Sequence, residues 1–207
     1  MLKKIVSAEL EAMLSSALFI GYAEAQKIKN LHEIFDCIIG SEAYPYLRRL
    51  AIEFYANRKA NAIKNLSSKI CPNKSGNYHH VELCYNENLI ITFNHLANIN
   101  GVKQTMPRHA IFREQLARNN SKQIEMFPTY PEKYFAEGQI LATLVHEGRN
   151  YPERAELQVH DSKFKKVIDR LSISTTKNVD LSDMNIVEGT TPEFIQFAKE
   201  AYQGLKK

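Results

Sequence analysis

The chain has 207 residues, of which 44% are hydrophobic and 24% charged, and its formal net charge is +4. These fractions are typical of globular proteins and exclude a disordered, fibrous or low-complexity chain. The sequence contains no uncharged apolar run of the ~18 residues that a membrane-spanning helix needs. The length supports one domain or a closely packed pair, because domains typically contain about 100–200 residues.

The three cysteines, Cys37, Cys71 and Cys84, form no C-x-x-C pair. An odd number without such a pair favours reduced thiols rather than a secreted disulfide framework, and Cys37 is predicted to be a small core residue. Lysine, asparagine and isoleucine are frequent and tryptophan is absent, which favours a bacterial or phage-type gene. We therefore expect a small cytoplasmic protein.

The N-terminal region predicts one long helix from a cap at Ser7 to about Ile39. Its apolar positions recur at steps of three and four residues, which is the period of one helix face. Within that stripe, Ala17, Gly21 and Ala25 form a smooth face that would let another helix approach closely. The same stretch can be interpreted as a signal peptide, but acidic residues just before the apolar core argue against it.

A second helix is predicted from Ser41 to Ile70, between the helix stop at Gly40 and the break at Pro72. Pro45 suits the first turn of such a helix, where a missing N–H has little effect. The loop 73–77 then marks a possible boundary between a helical region, 1–72, and an α+β region, 73–207. We expect the two regions to pack as one compact unit.

The remaining sequence predicts strands, with one interposed helix and one final helix. Residues 78–85 and 89–96 read as a β-hairpin in which Tyr85 faces Leu89. Pro107 opens a short helix that ends near Arg118, and residues 139–146 and 154–160 form a second strand pair. Residues 165–173 fit either a strand or a helix, and Pro192 starts the final helix. This order predicts an α+β fold with a mostly antiparallel sheet.

Positive charge is concentrated in two segments, 41–80 with a net charge of +5 and 102–122 with a net charge of +4. Such segments can present a basic face to phosphates, although they can equally be the solvated faces of helices. Tyrosines near the first arginines could stack on exposed bases. The predicted nucleic-acid-binding residues are Arg48, Arg49, Arg58, Lys59, Arg108, Arg113 and Arg118.

Two groups of polar residues on the predicted strands could also carry function. In the predicted register, His79 faces His95 across the hairpin, close enough to share a metal or to act as a pH-sensitive pair. The loop from His146 to Tyr151 gathers polar and aromatic groups at one end of a sheet, where binding residues often lie. Each group also fits an ordinary strand end or surface connection.

The acidic set Glu137, Glu147 and Glu156 suggests a different chemistry. Glu137, followed by a hairpin and the sequence Glu156-Leu157-Gln158, resembles the core of restriction-endonuclease-like nucleases, which implies carboxylates that hold Mg²⁺ against a phosphate. Two positions depart from that pattern, because no aspartate stands first and Gln158 replaces the usual lysine. The exposed polar face of a half-buried sheet would have the same sequence.

Motifs that would identify a common enzyme class are absent. The sequence has no glycine-rich phosphate loop, no H-E-x-x-H zinc helix and no G-x-S-x-G elbow. The sequence therefore predicts a non-enzymatic accessory protein without a cofactor or resident metal, which binds a nucleic acid or an acidic protein through its basic helices. The alternatives are a metal-dependent nuclease using Glu137 and Glu156, and an interaction module that dimerises through the Ala17, Gly21 and Ala25 face.

Overall fold

The computed structural model describes residues 1–72, 79–96, 99, 139–160, 166–175, 194 and 196. It contains helices α1 (Leu2–Ile5), α2 (Ala8–Leu31) and α3 (Ile38–Ala60), with a 3₁₀ turn at Glu33–Asp36. The strands are β1 (Leu66–Pro72), β2 (His79–Tyr85), β3 (Leu89–His95), β4 (Ile140–Glu147), β5 (Arg154–His160) and β6 (Val167–Ile173). The predicted α+β class, with two long helices before a mostly antiparallel sheet, is confirmed.

Helix α2 begins as predicted and ends earlier than predicted. The Ser7 hydroxyl oxygen accepts a hydrogen bond from the Leu10 amide at 3.2 Å, which caps the helix. The helix ends at Leu31 rather than near Ile39. The last residues of the predicted apolar stripe are not part of the core, since Leu31 is 58% and Ile38 is 80% exposed. Cys37 is exposed, which corrects its prediction as a core residue.

Helix α3 begins before Gly40, so this glycine is not a helix stop. The Cys37 sulfur accepts a hydrogen bond from the Gly40 amide at 3.3 Å and caps α3. A Cβ at Gly40 would lie 1.6 Å from the Ile34 carbonyl oxygen, so the close approach of the 3₁₀ turn requires glycine. Pro45 lies inside α3 rather than in its first turn and removes the N–H that would bond the Ser41 carbonyl.

The smooth face of α2 packs against α3 of the same chain. Ala17 and Ala25 are fully buried, and a Cβ at Gly21 would lie 2.6 Å from the Ile52 Cα. The two helix backbones therefore approach so closely that only glycine fits at position 21. The predicted close helix approach is confirmed, and the face proposed for dimerisation is occupied within the chain.

Residues 66–72 form strand β1 instead of the end of the second helix. Helix α3 stops at Ala60, and Asn65 adopts a positive φ of 60° before the strand starts. Leu66 and Ile70 then face Tyr85 and Val81 of β2. The chain thus enters the sheet before the predicted boundary at residues 73–77.

The described strands form one sheet in the order β1-β2-β3-β4-β5-β6, in which only β3 and β4 run parallel. The predicted hairpin register is confirmed, with Tyr85 opposite Leu89 and Leu83 opposite Ile91. A parallel pair cannot be joined by a tight turn, and 44 residues separate the end of β3 from the start of β4 in the sequence. The interposed helix predicted from Pro107 lies outside the described residues.

One face of the sheet packs against α2 and α3 to form the main core. This face carries alternate apolar residues of the inner strands, such as Leu83, Ile91, Leu144 and Leu157, which are fully buried. Phe194 is helical and its ring lies 5.3 Å from that of Phe54. In the described part of the chain, no helix is long and apolar enough to cross a membrane.

Candidate anion-binding cleft

A cleft of about 680 Å³ lies where the parallel strands β3 and β4 end. Its walls come from the last turns of α2, the first half of α3, the end of β3 and the loop between β4 and β5. Three cationic side chains line it together with a histidine and two carboxylates. They are Lys29, Arg48, Arg149, His95, Glu147 and Glu153.

The carbonyl oxygen of Gly148 connects these elements. Arg48 donates to it from one terminal nitrogen at 2.9 Å, and the same nitrogen donates to the Arg149 carbonyl at 2.8 Å. The Nε2 of His95 lies 3.1 Å from the Gly148 oxygen. Helix α3, strand β3 and the β4–β5 loop are therefore held together at one backbone atom.

Glycine is required at position 148 for two reasons. Its φ is +128°, a conformation that side chains rarely adopt. A Cβ there would also lie 2.1 Å from the Tyr151 carbonyl oxygen. This tight loop turns the Gly148 carbonyl toward Arg48 and His95.

The two histidines of the cleft region are neighbours across the parallel pair. His95 lies opposite His146 in the register, and their ring centroids are 5.2 Å apart in an edge-to-face arrangement. His146 is only 1% exposed, whereas His95 lines the cleft. A ligand in the cleft can therefore reach His95, with His146 packed behind it.

The hydroxyl group of Tyr22 fixes the orientation of His146. It lies 2.9 Å from Nδ1 of His146 and 3.4 Å from the Gly148 oxygen. The Tyr22 hydroxyl donates to the Gly148 oxygen and shares a second hydrogen bond with Nδ1 of His146. Burial raises the pKa of Tyr22 well above its usual value, against the opposing effect of Arg48, so the hydroxyl stays protonated.

Arg48 is buried between two tyrosine rings. Its guanidinium carbon lies 4.9 Å from the Tyr22 ring centroid and 5.6 Å from that of Tyr44. Only 3% of Arg48 is exposed, and its Nε has no hydrogen-bond partner among the described residues. Arg48 is also one of the residues that line the cleft, so its positive charge lies near any anion that binds there.

The net charge of the side chains that line the cleft favours an anion. Lys29 lies 5.2 Å above the Tyr44 ring, and Arg149 is exposed on the loop. Of the two carboxylates, Glu147 already accepts a hydrogen bond from the Ile99 amide at 2.6 Å. Three cations and two carboxylates leave a net charge of +1 with His95 neutral.

The predicted basic residues on α3 occupy different environments. Arg48 lines the cleft, whereas Arg49 lies 3.7 Å from the Glu53 carboxylate. Arg58 is exposed near the end of the helix, and Lys59 beside it is partly buried. Ten residues of helix separate Arg48 from Arg58, which is about 15 Å. Arg108, Arg113 and Arg118 lie outside the described residues.

The predicted metal-binding sets find no support in the described residues. His95 contacts the His146 ring, and His79 lies opposite Pro72 of β1. No group of three or more potential metal-ligating side chains occurs in the described ranges. The structure therefore shows no metal set around the predicted histidine pair.

Glu156, from the predicted nuclease set, lies on the sheet face opposite the helices. It is 3% exposed and is held at 2.8 Å by both Arg154 and Gln158. Glu137 lies outside the described residues. Glu156 is therefore enclosed by neighbouring side chains and is separate from the cleft.

Sequence reasoning identified part of the cleft and missed the rest. The loop from His146 to Tyr151 is a candidate binding loop in the sequence that equally fits a surface connection, whereas Tyr22 and Lys29 have no such indication. The burial of Arg48 could have been predicted from its spacing. It follows Tyr44 by four residues and precedes Ala51 by three, which places it on the buried face of α3.

Comparisons of the chain with protein-family models, with curated proteins and with solved structures found no match. The chemistry of the cleft is therefore the basis for assigning a function.

Proposed function

We propose that the protein binds a single-stranded nucleic acid, with a backbone phosphate held in the cleft. One observation carries the proposal: three cationic side chains, Lys29, Arg48 and Arg149, line the same cleft. Arginine suits phosphate because its planar donors match phosphate oxygens. The cavity volume is within the range of about 300–1,000 Å³ that is typical of small-ligand sites, which fits a nucleotide.

The surroundings of the cleft favour a nucleic acid strand over a free anion. Tyr151 is 63% exposed on the loop that carries Arg149, and an exposed ring beside a phosphate site can stack on a base. This proposal keeps the predicted nucleic acid and moves its principal contact from an exposed helix face to the cleft.

Salt-dependent binding tests this proposal. Anisotropy titrations with short single-stranded oligonucleotides at several salt concentrations give a log–log slope of affinity against salt. Each phosphate contact contributes about −0.7 to the slope for a single strand. Lys29→Gln and Arg149→Gln should each reduce the slope by about this amount.

Lys64→Gln is the matched control, because Lys64 is exposed and lies far from the cleft. Its neighbour Asn65 donates a hydrogen bond to Asn86 in the β2–β3 turn, which is at the opposite end of β3 from the cleft. It should leave the slope unchanged. Equal effects of all three substitutions would contradict binding in the cleft. Absence of binding at low salt would contradict the nucleic acid and favour an acidic protein partner.

A further inference from the structure

A patch of exposed apolar side chains covers the corner where the chain passes from α2 to α3. Ile34 is 68% exposed, Ile38 80% and Ile39 82%. This corner patch consists of Leu31, Ile34, Ile38, Ile39 and Tyr46, each more than half exposed. Among the described residues, five of the nine exposed large apolar side chains thus lie within one stretch of 16 residues. Single exposed apolar residues are normal on a protein surface, whereas such a cluster marks an interaction site.

Hydrogen bonds fold the corner into one ordered surface. The Cys37 thiol donates to the Ile34 carbonyl oxygen at 3.1 Å, and its sulfur accepts from the Gly40 amide at 3.3 Å. The Ser41 hydroxyl donates to the Ile38 carbonyl oxygen at 2.7 Å. The 3₁₀ turn that carries Ile34 therefore lies directly against the first turn of α3. A surface that is already ordered loses little conformational freedom when a partner binds.

The corner patch continues along one face of α3. Tyr46 follows Ile39 by seven residues, which is about two turns of helix, so the two side chains lie on the same face. Amphipathic helices bind through apolar anchors that recur at the same spacing. The length and direction of the patch therefore suit a helix of a partner.

The charged side chains of the corner are all acidic. Glu33, Asp36 and Glu42 are exposed, and residues 31–46 contain no lysine or arginine. This segment has a net charge of −3 with His32 neutral, although the whole chain has a net charge of +4. Within the described ranges, none of the three carboxylates forms an ion pair. An apolar centre with a charged rim is the usual anatomy of a protein interface, and an acidic rim complements a basic partner.

We propose that the corner patch binds a basic amphipathic helix of a partner protein. The apolar face of that helix covers the three exposed isoleucines, and its lysines or arginines lie beside the three carboxylates. A second copy of the chain, bound face to face, would place the carboxylates of the two copies against one another. The same acidic rim repels nucleic acid and anionic membranes, so this surface has a partner of a different class from that of the cleft.

Selection from a peptide library tests what the patch binds. Phage-displayed random peptides of about 15 residues, long enough for four helical turns, are selected against the full chain and separately against Ile38→Gln combined with Ile39→Gln. We expect the full chain to enrich peptides that have apolar residues at helical spacing and a net positive charge. The double variant should not enrich them. If no enriched peptide depends on the two isoleucines, or if those that do are acidic, the proposal is wrong.

Anisotropy titrations with an enriched peptide measure the apolar and charged contributions separately. The double isoleucine variant should weaken binding at least about 10-fold, because a few apolar anchors provide most of the affinity of an interface. Its fold should be intact, since both side chains are exposed, and circular dichroism can verify this. Replacement of the three carboxylates by amides should weaken binding mainly at low salt. A salt dependence unchanged by this replacement would contradict the role of the acidic rim.

Ile168→Gln is the matched control for the loss of exposed apolar surface. Ile168 is 48% exposed on β6, and its neighbour Asp169 accepts a hydrogen bond from the Leu2 amide, at the opposite end of α2 from the corner. The substitution should leave the affinity for the peptide unchanged. An equal loss of affinity in this variant would place the peptide elsewhere and overturn the proposal.

Sedimentation measurements distinguish the other possible occupants of the patch. We expect the full chain to be a monomer and to remain in solution when phosphatidylcholine vesicles are pelleted. A dimer that the double isoleucine variant dissociates would assign the patch to a second copy of the chain. Vesicle binding that the same variant abolishes would assign it to a lipid surface. Either result would overturn the proposal.

Discussion

Replacement of Arg48 by methionine tests how the cleft is held together. The guanidinium donates two hydrogen bonds to the β4–β5 loop, at 2.8 and 2.9 Å, and lies over the rings of Tyr22 and Tyr44. Hydrogen bonds to charged groups contribute about 1.5–3 kcal/mol each, and a desolvated cation–π contact contributes up to about 2 kcal/mol. The substitution also removes the free-energy cost of burying a charge, which offsets part of this loss.

We therefore expect Arg48→Met to lower the free energy of unfolding by about 2–4 kcal/mol. For a chain of this size, the Tm should fall by at least about 4 °C. Urea denaturation followed by circular dichroism gives both the free energy and the m-value. Lys64→Met, at an exposed position after α3, is the control and should change stability by less than about 0.5 kcal/mol. Equal stability of the two variants would refute the role of Arg48 in holding the loop.

Three further predictions concern the core and the buried titratable groups. Gly21→Leu should lower the free energy of unfolding by about 1–3 kcal/mol in urea titrations, because its side chain would overlap Ile52, and an unchanged midpoint would contradict this packing. Burial and the Glu82 carboxylate raise the pKa of Cys71 to about 12, so iodoacetamide at pH ~8 should modify exposed Cys37 first, as peptide mass spectrometry can show. Burial raises the pKa of Glu53, so the stability it contributes is present below pH ~4.5 and lost as the pH rises through its folded pKa. The unmodified protein should therefore lose more stability than Glu53→Gln between pH ~4.5 and ~7 in denaturation series, and parallel curves would contradict this sign.

The sequence predicted the elements that local patterns determine. The cap at Ser7, the close helix approach at Gly21 and the register of the β2–β3 hairpin depend on neighbouring residues, and all three are confirmed. The predicted end of α3 was wrong. Leu66 and Ile70 are four residues apart, and that spacing places two side chains on one face of a helix and also on one face of a strand. The turn at Asn65 has a positive φ without a glycine to mark it.

The cleft could be predicted only in part, because it depends on contacts between distant segments. His95 meets His146 through the parallel pairing of β3 and β4, which no local pattern determines. The convergence of Tyr22 and Arg48 on the β4–β5 loop likewise requires the packing of two helices on the sheet. Local patterns identified the loop itself.

Photocrosslinking tests the central claim, that nucleic acid lies in the cleft, most directly. RNA containing thiouridine would be irradiated with the full chain, and the crosslinked peptides identified by mass spectrometry. The account predicts crosslinks in the β4–β5 loop around Tyr151 and in the first half of α3, and their loss when Arg149→Gln is combined with Lys29→Gln. Crosslinks confined to other segments, such as residues 102–122 or strand β1, would contradict it.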